Sequence, residues 1–233
     1  MEAIILAGGL GTRLRSIVSE VPKCMAPVCG KPFLYYLLQY LSEFKEIDRV
    51  ILSVGYLREV IFDWMATQQL PFEIAYAIEE TPLGTGGGIK LALKQIKGDE
   101  ALILNGDTFF HVNLTELSKA GKENKQAITL ALKQMTHFDR YGEVNLAEDS
   151  TIEKFNEKKP CEEGLINGGI YHIDLKRFPL SRIPDKGSFE KEVLETNVKE
   201  KNLRGYISDG YFIDIGIPED YQKANVDFAE FFK

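Results

Sequence analysis

The stretch Leu6-Ala7-Gly8-Gly9-Leu10-Gly11-Thr12-Arg13-Leu14 decides the fold class, and Pro22-Lys23-Cys24-Met25-Ala26-Pro27 follows shortly after it. The apolar run Ala3 to Ala7 predicts a strand, and it feeds into a loop with glycine at three of four positions, Gly8, Gly9 and Gly11. Without Cβ atoms, such a loop lets backbone N–H groups approach phosphate oxygens closely. Arg13 and Lys23 add two cations beside that cradle, with Arg15 and Lys31 nearby, matched to a polyanion. The order strand, glycine loop, cation reads as a nucleoside triphosphate site.

Two other glycine loops do not fit. A dinucleotide fingerprint needs G-x-G-x-x-G, but after Gly9 and Gly11 the third position is Leu14, which disfavours a dinucleotide-binding oxidoreductase. A P-loop needs Gly-Lys followed by Ser or Thr, whereas Gly30-Lys31 is followed by Pro32.

Working outward, strands alternate with helical patterns. Lys31 to Phe44 carries Leu34, Leu37, Leu38, Leu41 and Phe44 at helical spacing, with Pro32 suited to the first turn. Arg49 to Val54 is β-rich, Val60, Ile61 and Trp64 mark another helix, and Phe72 to Ile78 alternates as a strand. Thr85 is placed to cap a helix running to about Lys94, and Ala101 to Leu104 is a buried strand. This order predicts an α/β fold of Rossmann-like type, with a mixed, mostly parallel central sheet flanked by helices. From Ala127 the pattern changes to short strands, Ile128–Leu132, Glu143–Leu146, Ile152–Phe155 and Leu165–Ile173, and one helix near Phe189 to Val198 capped by Ser188. No repeat or Pro/Ser-rich linker divides the chain. A single domain over 1–233 is expected, with a nucleotide half to about residue 110 and an acceptor half beyond it.

Composition bounds the function. The 233 residues are 44% hydrophobic and 27% charged, ordinary for a globular protein with a sizeable core. The formal charge of −7 speaks against general nucleic-acid binding. No apolar run approaches a membrane span, and the N-terminus lacks a signal-peptide pattern. Cys24, Cys29 and Cys161 are odd in number and lack a C-x-x-C spacing, which argues for free thiols in a reducing cytoplasm. His111, His137 and His172 share no metal-ligand spacing.

Two acidic positions follow apolar runs. Asp107 lies in Asn105-Gly106-Asp107 after Ala101–Leu104, and Asp214 lies in Tyr211-Phe212-Ile213-Asp214-Ile215-Gly216. Ligands of open α/β sheets sit beyond the carboxyl ends of strands, so the two could meet at one edge. Magnesium bound with a triphosphate uses one or two carboxylates plus phosphate and water oxygens.

The ordered pair Gly8-Gly9-Leu10-Gly11-Thr12-Arg13-Leu14 and Pro22-Lys23-Cys24-Met25-Ala26-Pro27-Val28-Cys29-Gly30-Lys31-Pro32 resembles the signature of the sugar-1-phosphate nucleotidylyltransferases. The resemblance covers nearly the whole chain. Cys24 departs from it, at a position often held by proline or another small residue, and the hexapeptide repeat that follows this domain in some members is absent. The resemblance implies transfer of a nucleotidyl group to a sugar 1-phosphate. Arg13, Lys23 and Asp107 would be catalytic, and Asp107 and Asp214 would hold Mg2+. Leu6, Gly8, Gly9, Gly11, Thr12, Arg13 and Lys23 would bind the nucleotide.

In Glu79-Glu80-Thr81-Pro82-Leu83-Gly84-Thr85-Gly86-Gly87, similar segments of the family bind the nucleobase, which assigns Glu79, Glu80, Pro82, Gly84 and Thr85 to it. Guanine presents two adjacent donors, N1–H and the 2-amino group, and a carboxylate accepts both, so Glu79 favours GTP. On the acceptor side, Phe155-Asn156-Glu157-Lys158-Lys159-Pro160 resembles the family's F-x-E-K-P element, which assigns Glu157 and Lys158 to the sugar 1-phosphate. Gly142, Asn167 and, as a weaker match, Glu190 complete that set. Within the family the resemblance points to guanylyl transfer onto a heptose 1-phosphate. Transfer of guanylyl to mannose 1-phosphate or uridylyl to N-acetylmuramate 1-phosphate are the competing readings. An inactive regulatory relative would be expected to lack Arg13, Lys23 or a metal aspartate, and all are present. The oligomeric state stays open, a homodimer included.

Overall fold

The computed structural model describes residues 1–9 and 20–232. The chain opens with β1 (Glu2–Leu6) and later makes a short 3₁₀ turn (Lys23–Met25), a hairpin of β2 (Pro27–Val28) and β3 (Lys31–Pro32), and helix α1 (Phe33–Ser42). Then come β4 (Arg49–Val54), α2 (Arg58–Met65), β5 (Glu73–Ile78), α3 (Gly84–Leu93) and β6 (Glu100–Asn105). The second half holds β7 (Thr108–Phe110), α4 (Leu114–Glu123), β8 (Ile128–Phe138), β9 (Val144–Leu146), β10 (Ile152–Phe155) and β11 (Cys161–Asp174). A π-helical stretch (Glu190–Glu195), β12 (Leu203–Ser208), β13 (Phe212–Asp214) and α5 (Pro218–Phe231) follow.

Seven strands form one sheet in the order β5-β4-β1-β6-β11-β8-β12. β5, β4, β1 and β6 run parallel, β11 is antiparallel to β6 and β8, and β12 is parallel to β8. This is the mixed, mostly parallel Rossmann-like sheet expected from the sequence. Both faces are covered, and alternate residues divide between them. On β1, Ala3 and Ile5 join a core with Leu34, Leu37 and Leu41 of α1 and Phe228 of α5, while Ile4 joins a second core with Ile89 and Leu93 of α3. Among the described residues no helix is long and apolar enough to cross a membrane.

The strand order reverses between β1 and β6, because the chain winds from β1 outward to β4 and β5 and then returns to the other side of β1. A crevice opens at the carboxyl ends of strands at such a switch point. Here it lies where Leu6 of β1 stands in register with Asn105 of β6 and Ser53 of β4.

Several sequence expectations shift. The helix expected from Lys31 starts at Phe33, because Lys31 precedes a proline and is biased away from helical backbone. Lys31 and Pro32 instead pair with Val28 and Pro27 across a turn in which Cys29 (φ 47°) and Gly30 (φ 76°) are both left-handed, as a two-residue hairpin turn requires. β8 and β11 run past the sheet as a paired arm, from Asn167 opposite Leu132 out to Cys161 opposite Phe138. That arm is polar and partly exposed, so it carries no alternating apolar signal. The helix expected at Phe189 is there in π form, and Ser188 Oγ accepts the Lys191 N–H at 3.2 Å. α4, α5 and β12 stand where the sequence reading placed no element.

Candidate active site

A cleft of about 740 Å³ occupies the switch point. Its floor is the end of β1, Leu6 to Gly9, and the turn Asn105-Gly106-Asp107 after β6. Gly106 N–H donates to Leu6 C=O at 3.1 Å, and a Cβ on Gly106 would run into that same carbonyl. Only glycine lets the two strand ends close here, which fixes where Asp107 emerges.

Asp107 and Asp214 are brought together by the β7–β13 pair, in which Asp214 stands opposite Thr108. Ile215 N–H also donates to Asp107 C=O at 3.0 Å. Between the two carboxylates lies the Lys23 ammonium, ion-paired to Asp107 Oδ2 and 3.6 Å from Asp214 Oδ1. The 3₁₀ turn positions it: Lys23 is 12% exposed in its side chain, and the neighbouring Cys24 is buried with its thiol 3.7 Å from Ala7 C=O. Burial, reinforced by Asp107, pushes the Cys24 thiol up to about 12. Gly216 N–H donates to Asp214 Oδ1 at 2.7 Å and Thr108 Oγ1 to Asp107 Oδ1 at 3.3 Å, so each carboxylate is oriented. Two carboxylates converging on one cation are a hard-oxygen set that suits magnesium carried in with a triphosphate. Among the described residues no group of three or more His, Cys, Asp or Glu is arranged to hold a metal ion, so phosphate and water would have to supply the remaining ligands.

The other wall is built around Glu79. Its Oε1 accepts Ser53 Oγ at 3.2 Å and its Oε2 accepts Leu83 N–H at 3.1 Å. Glu79, not Thr85, therefore serves the N-terminus of α3, where a carboxylate is favoured. A Cβ on Gly8 would stand 3.0 Å from Glu79 Oε1, and one on Gly88 2.7 Å from it, so glycines make room for this side chain. Glu80 is exposed and pairs with Arg58 at 3.2 Å. Pro82, Gly84 and Thr85 line the same wall. Thr85 Oγ1 accepts Phe189 N–H at 2.8 Å and donates to Glu190 Oε2 at 2.9 Å. Two backbone bonds, Gly86 N to Gly187 O at 2.9 Å and Gly187 N to Leu83 O at 2.8 Å, complete a clasp between α3 and the segment before the π-helix.

The acceptor-side residues are more dispersed. Asn167 sits where the β8–β11 register shifts; it donates to Tyr171 Oη at 3.0 Å and accepts Gly169 N–H at 3.0 Å. Burial and then Glu190 raise the Tyr171 phenol, against the Asn167 hydrogen bond, which lowers it, and Asp107 raises it further. Gly142 packs where a Cβ would strike Asn156 C=O. Glu157 and Lys158 are exposed on the loop after β10. Gly142, Glu157, Lys158, Asn167 and Glu190 are not among the residues lining the cleft. Gly11, Thr12 and Arg13 lie outside the described residues.

The sequence reading missed Tyr56, Arg58 and Asn105, which line the cleft. Tyr56 and Arg58 follow β4, so the strand-end rule applied to Asp107 would have found them. Asn105 ends β6, and its buried Oδ1 has no hydrogen-bond partner among the described residues. Gly169, left-handed at φ 74°, comes so near that a Cβ would stand 2.7 Å from Asn105 Nδ2.

The sequence profile described as nucleotidyl transferase matches residues 2–230, and the chain belongs to this nucleotidyl transferase family. Within it, the chain is 47% identical, over 99% of its length and 100% of the relative's, to the D-glycero-alpha-D-manno-heptose 1-phosphate guanylyltransferase of Aneurinibacillus thermoaerophilus. It is 50% identical to the enzyme of that name from Campylobacter jejuni, over 95% of this chain and 97% of the relative. The crystal structure of HddC from Yersinia pseudotuberculosis complexed with GMP-PN is similar at a TM-score of 0.85 and 35% identity, covering 97% of this chain and 99% of that one. The family expectation drawn from the glycine loop and the Pro22–Pro32 segment is borne out.

Proposed function

We propose that the protein transfers a guanylyl group from GTP to a D-glycero-D-manno-heptose 1-phosphate, giving GDP-heptose and pyrophosphate. The observation that carries the reading is the cleft at the β1–β6 switch point, walled by glycine loops on one side and by Lys23 and Asp107 on the other, with Asp214 behind them against the Lys23 ammonium. Relatives of nearly full-length match carry the name heptose 1-phosphate guanylyltransferase.

In this reading an oxygen of the acceptor phosphate attacks the α-phosphorus of GTP in line. The new P–O bond forms as the bond to the β-phosphate oxygen breaks, and that electron pair leaves with pyrophosphate. A phosphate dianion is already a nucleophile, so no general base is required. The work lies in bringing two anions together and neutralising developing charge. Lys23 steadies the α-phosphate, and Arg13 the leaving pyrophosphate. Asp107 and Asp214 would hold Mg2+, which when bound supplies positive charge between the reacting phosphates.

Glu79 reads the guanine edge. A carboxylate has about four acceptor positions, and Ser53 and Leu83 occupy one on each oxygen, leaving one on each for the two guanine donors. Glu190 and Asn167 bond acceptor hydroxyls, with Gly142, Glu157 and Lys158 closing over the sugar phosphate from the arm side. The deciding experiment is pyrophosphate release across the nucleoside triphosphates, each offered heptose, mannose, glucose and N-acetylmuramate 1-phosphates. GTP with the heptose 1-phosphate should give the highest kcat/KM. A higher value with mannose 1-phosphate, or with UTP, would replace this reading.

A further inference from the structure

The Lys23 ammonium sits where a divalent cation would have to sit. It is ion-paired to Asp107 Oδ2 and 3.6 Å from Asp214 Oδ1, the two carboxylates that would hold the metal. The carboxylates cannot separate to relieve their repulsion, because the β7–β13 pairing and the Ile215 N to Asp107 O bond fix them side by side. Neither can they turn away freely, since Thr108 and Gly216 each hold one oxygen. The Lys23 backbone is fixed as well, on a turn anchored by buried Cys24 and Met25, so only the flexible side chain, packed close to Gly216, can give way. Two fixed like charges need a cation between them, and the chain supplies its own.

We propose that Lys23 is a built-in counter-ion that must be displaced before Asp107 and Asp214 can share a divalent cation. This inference rests on the reading of those two aspartates as the metal site. A divalent cation and an ammonium wedged between the same two carboxylates repel each other strongly, so metal capture is favoured by moving the ammonium away. Among the described residues it is ion-paired to these two carboxylates and to no other. A bound triphosphate offers phosphate oxygens beside Gly8 and Gly9, which line the same cleft. The ammonium then exchanges carboxylate for phosphate as the metal enters. Divalent cations thus bind weakly to the free protein and tightly only with nucleotide, and Lys23 enforces that coupling as a positioning residue in addition to its contact with phosphate.

The signature is a gain in metal affinity confined to the nucleotide-free protein, read without turnover. Free Mn2+ is titrated by electron paramagnetic resonance against wild type, Lys23→Met and Lys23→Gln, with and without a non-hydrolysable GTP analogue. Thermal melts check folding, and either variant suffices for the test. Without nucleotide, Lys23→Met should bind Mn2+ at least tenfold more tightly than wild type. With the analogue it should bind no more tightly than wild type. Adding Asp107→Asn to Lys23→Met should abolish the gain.

Arg58→Met removes a charge from the same cleft without touching the carboxylates and should change nucleotide-free Mn2+ affinity less than twofold. Equal tightening by Arg58→Met, or none by the Lys23 variants, overturns the proposal. If Asp107→Asn and Asp214→Asn leave Mn2+ binding in the nucleotide complex intact, the metal site itself is wrong. If they abolish it while the Lys23 variants do not tighten the free protein, the exchange alone is wrong.

Discussion

At the scale of single residues, the site rests on charges whose positions the backbone dictates. Asp107→Asn and Asp214→Asn should each cut turnover by about a hundredfold or more, the range typical for removing a charge contact in transfer. The thermal midpoint should hardly move, because either variant leaves Lys23 ion-paired to the remaining carboxylate. Near-normal turnover in either variant would take that residue out of the metal site. Glu79→Gln places a donor where guanine presents donors, so it should reduce kcat/KM for GTP selectively and narrow the gap to UTP or dTTP. Glu80→Gln should change little, since Glu80 is exposed and paired with Arg58. An unchanged GTP preference in both variants would assign base reading to backbone groups. The thiols differ as sharply. Native protein treated with iodoacetamide near pH 8 should label Cys29, which is exposed, and spare Cys24, which is buried and pushed up to about 12. Peptide mass spectrometry decides it.

At the scale of elements, the clasp between α3 and the segment leading into the π-helix joins the wall proposed to read the base to Glu190, which is proposed to meet the acceptor. Thr85 Oγ1 is its hinge pin, accepting from Phe189 N–H and donating to Glu190. Thr85→Val leaves a half-buried N–H without its partner, which destabilises by about 1–3 kcal/mol, measurable by urea unfolding. It also leaves Glu190 Oε2 held by Ser188 Oγ without Thr85, so KM for the sugar 1-phosphate should rise more than KM for GTP. An equal rise in both would mean the clasp only supports the base wall. Sequence reading made Thr85 the cap of α3 because a threonine ahead of a glycine-rich helix fits the local pattern. It could not see that a carboxylate from the preceding strand, Glu79, takes over the helix end and that Thr85 is engaged by a segment about a hundred residues away.

At the scale of the whole molecule, stability is tied to one buried imidazole. His172 is 1% exposed on β11, 3.4 Å from Glu100, with Gly121 of α4 packed against its ring. Burial holds it below the usual histidine range despite Glu100. A folded-state pKa below the unfolded one means that the unfolded chain binds the extra proton first. The stability is therefore fully present above about pH 6.5 and lost as pH falls through the unfolded value and below. Denaturant midpoints measured from pH 8 to 5 should decline through this window, and His172→Gln should flatten the decline. A wild-type profile with no slope there would show that the ring is not kept neutral by the fold. Loss from Glu73, held low by Lys97 and Arg49, belongs to a separate, more acidic window.

The sequence by itself determined the sheet and the family. The strand entering Gly8-Gly9, the exact run Arg49–Val54 of β4 and the apolar core of β6 each carry a local signal, because a strand buried on both faces must be apolar throughout. The proximity of Asp107 and Asp214 was legible as two acidic residues at the ends of apolar runs. What the tertiary structure decided is which group satisfies which. Lys23 lies between the two aspartates, Glu79 is bound to Ser53 and Leu83, and Asn105 is left with an oxygen unpartnered among the described residues. The polar arm of β8 and β11 likewise shows only in the fold, its pairing partners being far apart in the chain and without alternating hydrophobicity. The physical reason is common to all of these. Hydrophobic periodicity is written into neighbouring residues, whereas ion pairs and side-chain hydrogen bonds join residues that become neighbours only after the sheet has brought its strand ends together.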